Sequence, residues 1–375
     1  MTVKTEPADP TTDTRTAWHC VHVYYYDPDK DDLILDAVRP LFAELRPLVK
    51  GLHLAPHWRR GPHLRLFAKT DRRTWTDVVL PRVEAVIGDY LARHPSTADL
   101  DVERHLAQHR LLAAREREHG PLVPWFPDNT IHEQPCDDRS HVIRSPRTAE
   151  LMAEFASDSA PLLFAMLDRV RAGTDDKELV ALELMLATTV TACGSITRGF
   201  ASYRSHAEGF LYSCNDPEAV RARFDAHYES RRDALLDRTR SVLAALDGTG
   251  DATPFARHWA ALCRQYGHRV DPLVAEGLVF PPLPADAPAV KPRAPMHAMM
   301  FGNRAYRETV FRHPNFLRYR FLLNCAYLQV NRLGLTPVQR FRTCHAAANA
   351  VEELHGVSAV DRIRAFVESH PDDAR

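Results

Sequence analysis

The run from Leu52 to Phe67, LHLAPHWRRGPHLRLF, constrains this chain more than any other stretch. Leu52 and Leu54 flank His53, a turn-like Arg60-Gly61-Pro62 follows, and His63-Leu64-Arg65-Leu66-Phe67 alternates again. Two-residue periodicity on both sides of a Gly-Pro turn predicts a β-hairpin. Side chains alternate across a strand, so Leu64 and Leu66 share a core face while His63, Arg65 and Phe67 share the other. Trp58, Arg59 and Arg60 gather at the turn. An imidazole and a guanidinium projecting side by side can hold a carboxylate, a phosphate or a peptide carbonyl. An exposed basic strand face is the plainer alternative.

The flanking segments extend this reading. Trp18 to Tyr26 alternates and is rich in β-branched and aromatic residues, which predicts a strand. Leu33, Ile34, Ala37, Val38, Leu41, Phe42 and Leu45 recur at helical spacing, with Pro40 interrupting the pattern. Thr74 to Arg93 repeats it, and Pro81 is expected to kink or divide that helix. Strand, helix, strand pair, helix is an α+β layout, a small antiparallel sheet packed by helices. Helical patterns then dominate: Pro146–Val170, Glu178–Phe200, Arg221–Asp247, Phe255–Tyr266, Arg318–Leu333 and Pro337–His355. Residues 1–16 read as a disordered tail and 17–375 as a single domain. Two stretches depart from the pattern. Residues 120–145 are too polar for a core, yet Trp125 and Phe126 argue against disorder, so a functional loop is expected. Residues 271–295 are proline-rich and read as an extended surface crossing.

Composition narrows the chemistry. A net charge of −1 and a pI near 7.1 supply no field for nucleic acid or membrane. Seven scattered cysteines without a Cys-x-x-Cys pair point to reduced thiols and a cytoplasmic setting. Twenty histidines include no His-Glu-x-x-His motif, so no metal is expected. There is no glycine-rich phosphate loop and no Gly-x-Ser-x-Gly, so neither a nucleotide cofactor nor a serine triad is expected. What remains is a set of Arg, His, Tyr and Glu residues suited to acid–base work on a carbonyl or carboxylate.

Four segments carry a family resemblance: WHCVHVYYYDPDKDDLILDAVRPL from Trp18, WRRGPHLRL from Trp58, FASDSAPLLFAML from Phe155 and YLQVNRLGL from Tyr327. Together they resemble the C-terminal, elimination-type domain of lantibiotic dehydratases, and more closely its stand-alone relatives in thiopeptide biosynthesis. The resemblance covers roughly residues 18–356. It implies an α+β fold and a ribosomally made precursor peptide, leader plus dehydrated core, as substrate. Other enzymes of the pathway are further partners it implies, and a homodimer stays open. Elimination domains remove glutamate from glutamylated Ser or Thr. Pyridine synthases join two dehydroalanines in a formal (4+2) cyclisation, then expel water and the leader peptide.

Three departures separate these chemistries. Phe67 stands where the elimination pattern has a second arginine. Glu133 lacks its partner arginine unless Arg139 substitutes. Tyr327 replaces a histidine. The cyclase reading is therefore preferred, with elimination and non-catalytic peptide binding as alternatives. It assigns Tyr327 as acid or hydrogen-bond donor at the reacting carbonyl, with Arg65 and His63 orienting the substrate. Arg198, Tyr203 and His206, near a helix end expected at Gly199, would bind substrate, as would Glu133 and Trp58.

Overall fold

The computed structural model describes residues 15–137, 139–250, 253–280 and 294–372. The expected tail and most of the proline-rich crossing lie outside the described residues. The chain forms two compact units. One runs to Val142 and takes in Ala153–Asp168; the other comprises Ile143–Met152 and the chain from Arg169 onward. Helix accounts for 67% of the structure, beside one small sheet, so the class is helix-dominated α+β as expected.

The first unit is built on that sheet. Strands β1 (Ala17–Tyr24), β2 (Gly51–His57), β3 (His63–Thr70) and β4 (Thr130–Gln134) are all antiparallel, in the order β2-β3-β1-β4. Register pairs His22 with Arg65 on one side and with His132 on the other. Alternation then sorts the two faces. Val21, Val23, Leu52, Leu54, Leu64 and Leu66 are each at most 3% exposed and form a core with Leu33, Val38, Leu41, Trp75, Val79, Val83 and Ile87. Burying each aliphatic side chain stabilises the unit by roughly 1.5–3 kcal/mol.

Both internal prolines are accommodated without a break. Pro40 is the second residue of α1 (Arg39–Leu45), and a wide π-turn, Ile34–Val38, immediately precedes it. Pro81 is likewise second in α2 (Leu80–Arg93), after the π-turn Trp75–Val79. The extra residue in each turn absorbs the carbonyl that a proline ring would strike. The division expected at Pro81 falls at this change from π-turn to α-helix.

Helix α3 (Val102–Glu116) begins at Asp101, whose carboxylate caps two backbone N–H groups. The 120–145 stretch is more structured than expected. It contributes β4 and a short helix, Ser140–Ile143. The helical stretch from Pro146 divides into α4 (Pro146–Asp158) and α5 (Ala160–Arg171).

The second unit surrounds α6 (Lys177–Cys193), whose residues Val180 to Ala187 are all fully buried. A helix apolar on every side belongs at the centre of a bundle. No single helix among the described residues is long and apolar enough to cross a membrane. Packed on α6 are α8 (Pro217–Asp247), α9 (Ala256–Ala275), α11 (Pro314–Arg332) and α12 (Pro337–His355), with α7 (Ala201–Leu211) against α12. Helices α10 (Pro295–Gly302) and α13 (Ala359–Ser369) contact each other. Helix α6 ends at Gly194, in the left-handed region at φ 72°, and a separate short helix, Ile196–Gly199, ends at the expected Gly199. Glu183 on α6 is wholly buried and accepts the N–H groups of Phe255 and Ala256 at 2.7 and 2.6 Å. Its other oxygen takes Arg238 at 2.8 Å, and Arg238 also holds Asp175 at 2.8 Å. Thr336 and Gln339 cap each other at the start of α12, where the Thr-Pro pair was expected to start a helix.

Candidate functional site

The face of the sheet away from its helices carries the first cluster. His63 is buried; its Nδ1 donates to the Gly61 carbonyl at 2.8 Å. Its ring stacks on His22 at 4.4 Å and lies 4.7 Å from Tyr24 and 5.4 Å from His57. Burial, with the Arg65 and Arg59 guanidinium groups beside it, pushes the His22 imidazole down to about 3. Burial likewise holds His57 and His63 well below the usual imidazole range. These rings are therefore neutral acceptors and donors at pH 7. Gly61 makes the turn possible: its φ is +107°, and a Cβ there would meet the Tyr26 hydroxyl at 2.7 Å.

Beside the rings lies a cavity of about 510 Å³, lined by Arg59, Arg60, Arg65, Tyr24, Phe126 and Gln134 among others. This is room for a few residues of a peptide. Arg65 is only 4% exposed, and its Nε has no hydrogen-bond partner among the described residues. A buried guanidinium with an N–H left unpaired can receive a carbonyl or carboxylate. The aromatic loop frames the cavity: Phe126 N donates to Arg60 O at 3.0 Å, and the Arg60 guanidinium lies 4.2 Å over the Phe126 ring.

Two residues assigned to this site lie elsewhere. Glu133 sits on β4 with its side chain on the helix face, where Oε1 accepts Trp75 Nε1 at 2.7 Å and Arg72 at 2.9 Å. Alternation turns its neighbour Gln134 into the cavity instead. Trp58 stacks on His57 at 5.5 Å and donates to Glu116 Oε2 at 3.2 Å, and is not among the residues lining the cavity. Phe67, in the departed arginine position, stacks on His53 at 4.2 Å. Arg139 approaches Glu118 at 3.7 Å. His57, Glu116 and Glu118 bring ligand atoms within 4.8 Å of one another, a grouping the sequence did not suggest. Arg59 and Arg139 already neutralise Glu118, which disfavours a cation there.

The second unit holds Tyr327. It is 8% exposed on α11, and its hydroxyl lies 2.6 Å from His206 Nδ1 on α7. Cys344 on α12 donates its thiol to the same hydroxyl at 3.5 Å. Arg340, one turn earlier, sits 5.5 Å over the Tyr327 ring and is held by Asn331 Oδ1 at 3.2 Å. Burial raises the Tyr327 hydroxyl well above its ordinary value and pushes His206 down to about 3. The pair is thus a phenol and a neutral imidazole. When Nδ1 carries the imidazole proton, the phenol oxygen accepts from both His206 and Cys344. Its own proton is then free for a third partner.

Tyr203 does not line a cleft. It is fully buried, its hydroxyl bonded to Thr189 and to the Met185 carbonyl, so it braces α6 against α7. Arg198 is exposed and makes no hydrogen bond to the Tyr327 group. Sequence reasoning missed Cys344, Arg340 and His297. His297 on α10 bonds Ser205 Oγ at 2.8 Å, on the helix that carries His206. The four-residue spacing of Arg340 and Cys344 puts both on one face of α12, but nothing local points that face at Tyr327.

The family model described as lantibiotic biosynthesis dehydratase C-term matches residues 18–351. Among solved structures, the pyridine synthase TbtD from thiomuracin biosynthesis is similar at 34% identity and TM-score 0.73, over 91% of this chain and 99% of that one. TsrL shares the fold at 21% identity and TM-score 0.68, over 96% of this chain and 100% of its own. The tRNA-dependent lantibiotic dehydratase MibB from Microbispora sp. 107891 aligns at 14% identity and TM-score 0.51, over 95% of this chain but 29% of its own. No curated protein matches the sequence. The sheet with its His-x-Arg strand, the Tyr327 helix and these matches lead to one assignment: the chain belongs to the lantibiotic biosynthesis dehydratase C-terminal family.

Proposed function

We propose that this chain closes a pyridine ring within a thiopeptide-type precursor, by formal (4+2) cyclisation of two dehydroalanines with loss of water and leader peptide. The observation that carries the reading is the Tyr327 phenol, held by His206 at 2.6 Å and by Cys344. Likeness to a pyridine synthase at 34% identity supports it.

The barrier in such a reaction lies in the amide next to one dehydroalanine, which must reach its imidic-acid tautomer to complete a diene. That requires a proton delivered to the carbonyl oxygen as the N–H is lost. A phenol kept protonated by burial delivers it and takes the amide N–H proton in return, so the phenol is restored as the imidic acid forms. His206 and Cys344 then stabilise the developing phenolate, and the Arg340 cation adds to this. Holding the two alkenes together supplies much of the remaining rate. Within the first unit, the Arg65 cavity offers a receptor for a carbonyl or carboxylate of the precursor.

Two substrates decide between the readings. A bis-dehydroalanine precursor should lose water and its leader as a carboxamide, read by mass. A glutamylated precursor should stay unchanged. Loss of glutamate from the second, with the first inert, would transfer the assignment to the elimination reaction, which the unsatisfied Arg65 would serve by gripping the departing carboxylate. Binding of both peptides without change would leave only a peptide-binding role.

A further inference from the structure

We propose that His297, seated by Ser205 and Gly209, is the second proton-transfer group of this enzyme, acting when the leader peptide leaves. The inference rests on the cyclisation reading above and deepens it. One helix, α7, presents two imidazole pairings side by side. His206 meets Tyr327, while Ser205 Oγ lies 2.8 Å from His297 Nε2. Gly209, one turn further on, lets the second ring in: a Cβ there would meet His297 Cε1 at 2.8 Å. The absence of a side chain at Gly209 thus shapes a seat for an imidazole. The His297 ring is half-buried. Burial lowers its proton affinity, so it rests neutral and able to accept a proton.

The chemistry calls for two such groups. In the cycloadduct, one ring carbon carries the hydroxyl made from the former carbonyl, and its neighbour carries the leader amide nitrogen. Tyr327 has already delivered a proton to that oxygen and is placed to assist its loss as water. A ring C–H gives up the balancing proton, leaving a dihydropyridine. In the last step a second ring C–H and the C–N bond to the leader break, the ring C=C forms, and the proton ends on the departing carboxamide nitrogen. The step is redox-neutral and needs no co-reactant. It does need a group that takes a proton from carbon and hands one to nitrogen, at a carbon next to the one Tyr327 serves. A neutral imidazole fixed by a hydroxyl suits that transfer.

The test uses the intact chain and a bis-dehydroalanine precursor, followed by mass spectrometry. His297→Gln should consume substrate at close to the wild-type rate but release leader carboxamide ~100-fold more slowly, in line with loss of a general acid–base group. The accumulating species should weigh one water less than substrate, with the leader still attached. Ser205→Ala, which only unseats the ring, should show the same species with a milder delay. Added imidazole should restore release in His297→Ala, a rescue that a folding defect would not show. Leader release at the wild-type rate by His297→Gln overturns the proposal. So does substrate consumption that falls together with release and is not rescued. Wild-type protein that leaves the precursor untouched would instead overturn the cyclisation reading itself.

Discussion

Acid should loosen the first unit, and His22 sets a calculable part of the effect. This ring is 7% exposed, stacked on His63, and held to about 3 by burial and two guanidinium groups. An unfolded histidine titrates near 6.5. The folded value is the lower one, so His22 adds stability above pH 6.5 that drains away as pH falls toward 3. At pH 5 the unfolded chain binds a proton that the folded chain refuses, at a cost of RT ln(1 + 10^1.5), or about 2 kcal/mol. Any folded value below about 4 gives the same figure. Urea unfolding of the wild type at pH 7.5 and pH 5.0 should therefore lose more stability than His22→Phe, which keeps a ring but cannot titrate. The difference between the two pH-dependent losses should be about 2 kcal/mol. Equal losses in the two proteins would mean that His22 is hydrated or charged in the fold, and the neutral ring stack would be wrong.

Replacing Tyr327 with Phe should lower turnover by about 10²–10⁴ with peptide affinity unchanged, and steady-state kinetics with a binding titration would separate these. Arg65→Met should move stability and function in opposite directions. Removing an unsatisfied buried charge should stabilise the fold by about 1–3 kcal/mol, while peptide affinity drops at least ~10-fold. Calorimetric unfolding and a binding isotherm together check it, and loss of both would contradict the receptor role. Glu133→Gln keeps an acceptor for Trp75 and loses only the ion pair with half-exposed Arg72, so stability should shift by no more than ~1 kcal/mol. Its turnover should match the wild type; a large drop would bring Glu133 back into the site. Arg238→Ala should cost about 3–5 kcal/mol, because two buried carboxylates lose their cation.

The hairpin was the most legible part of the chain, because a period of two over 51–70 admits one pairing that buries its leucines. That same alternation placed His63 and Arg65 on the cavity face. The segment TIHEQ, mostly polar, becomes β4 only by pairing with β1, so local pattern places Glu133 on a loop where the structure has a strand. The pattern predicts a helix end at Tyr266, yet α9 runs on through Gly267 to Ala275, with α11 packed against it and Arg318 and Leu322 within 3.8 Å of where a Cβ on Gly267 would stand. Local propensity lost to tertiary packing there. Tyr327 and His206 were named from the sequence, but their union was not derivable. His206 on α7 and Tyr327 on α11 lie 121 residues apart, and Cys344 and His297 carry no signature that sets them apart from packing residues.

The carboxylate of Glu183 joins three helices through one side chain, and this sets how the second unit comes apart. Opening α9 alone would cost the buried anion two N–H donors, and peeling α8 away would take its cation. Partial fraying of either is therefore suppressed, and α6, α8 and α9 should release their protected amides in a single event under exchange conditions, as one cooperative block.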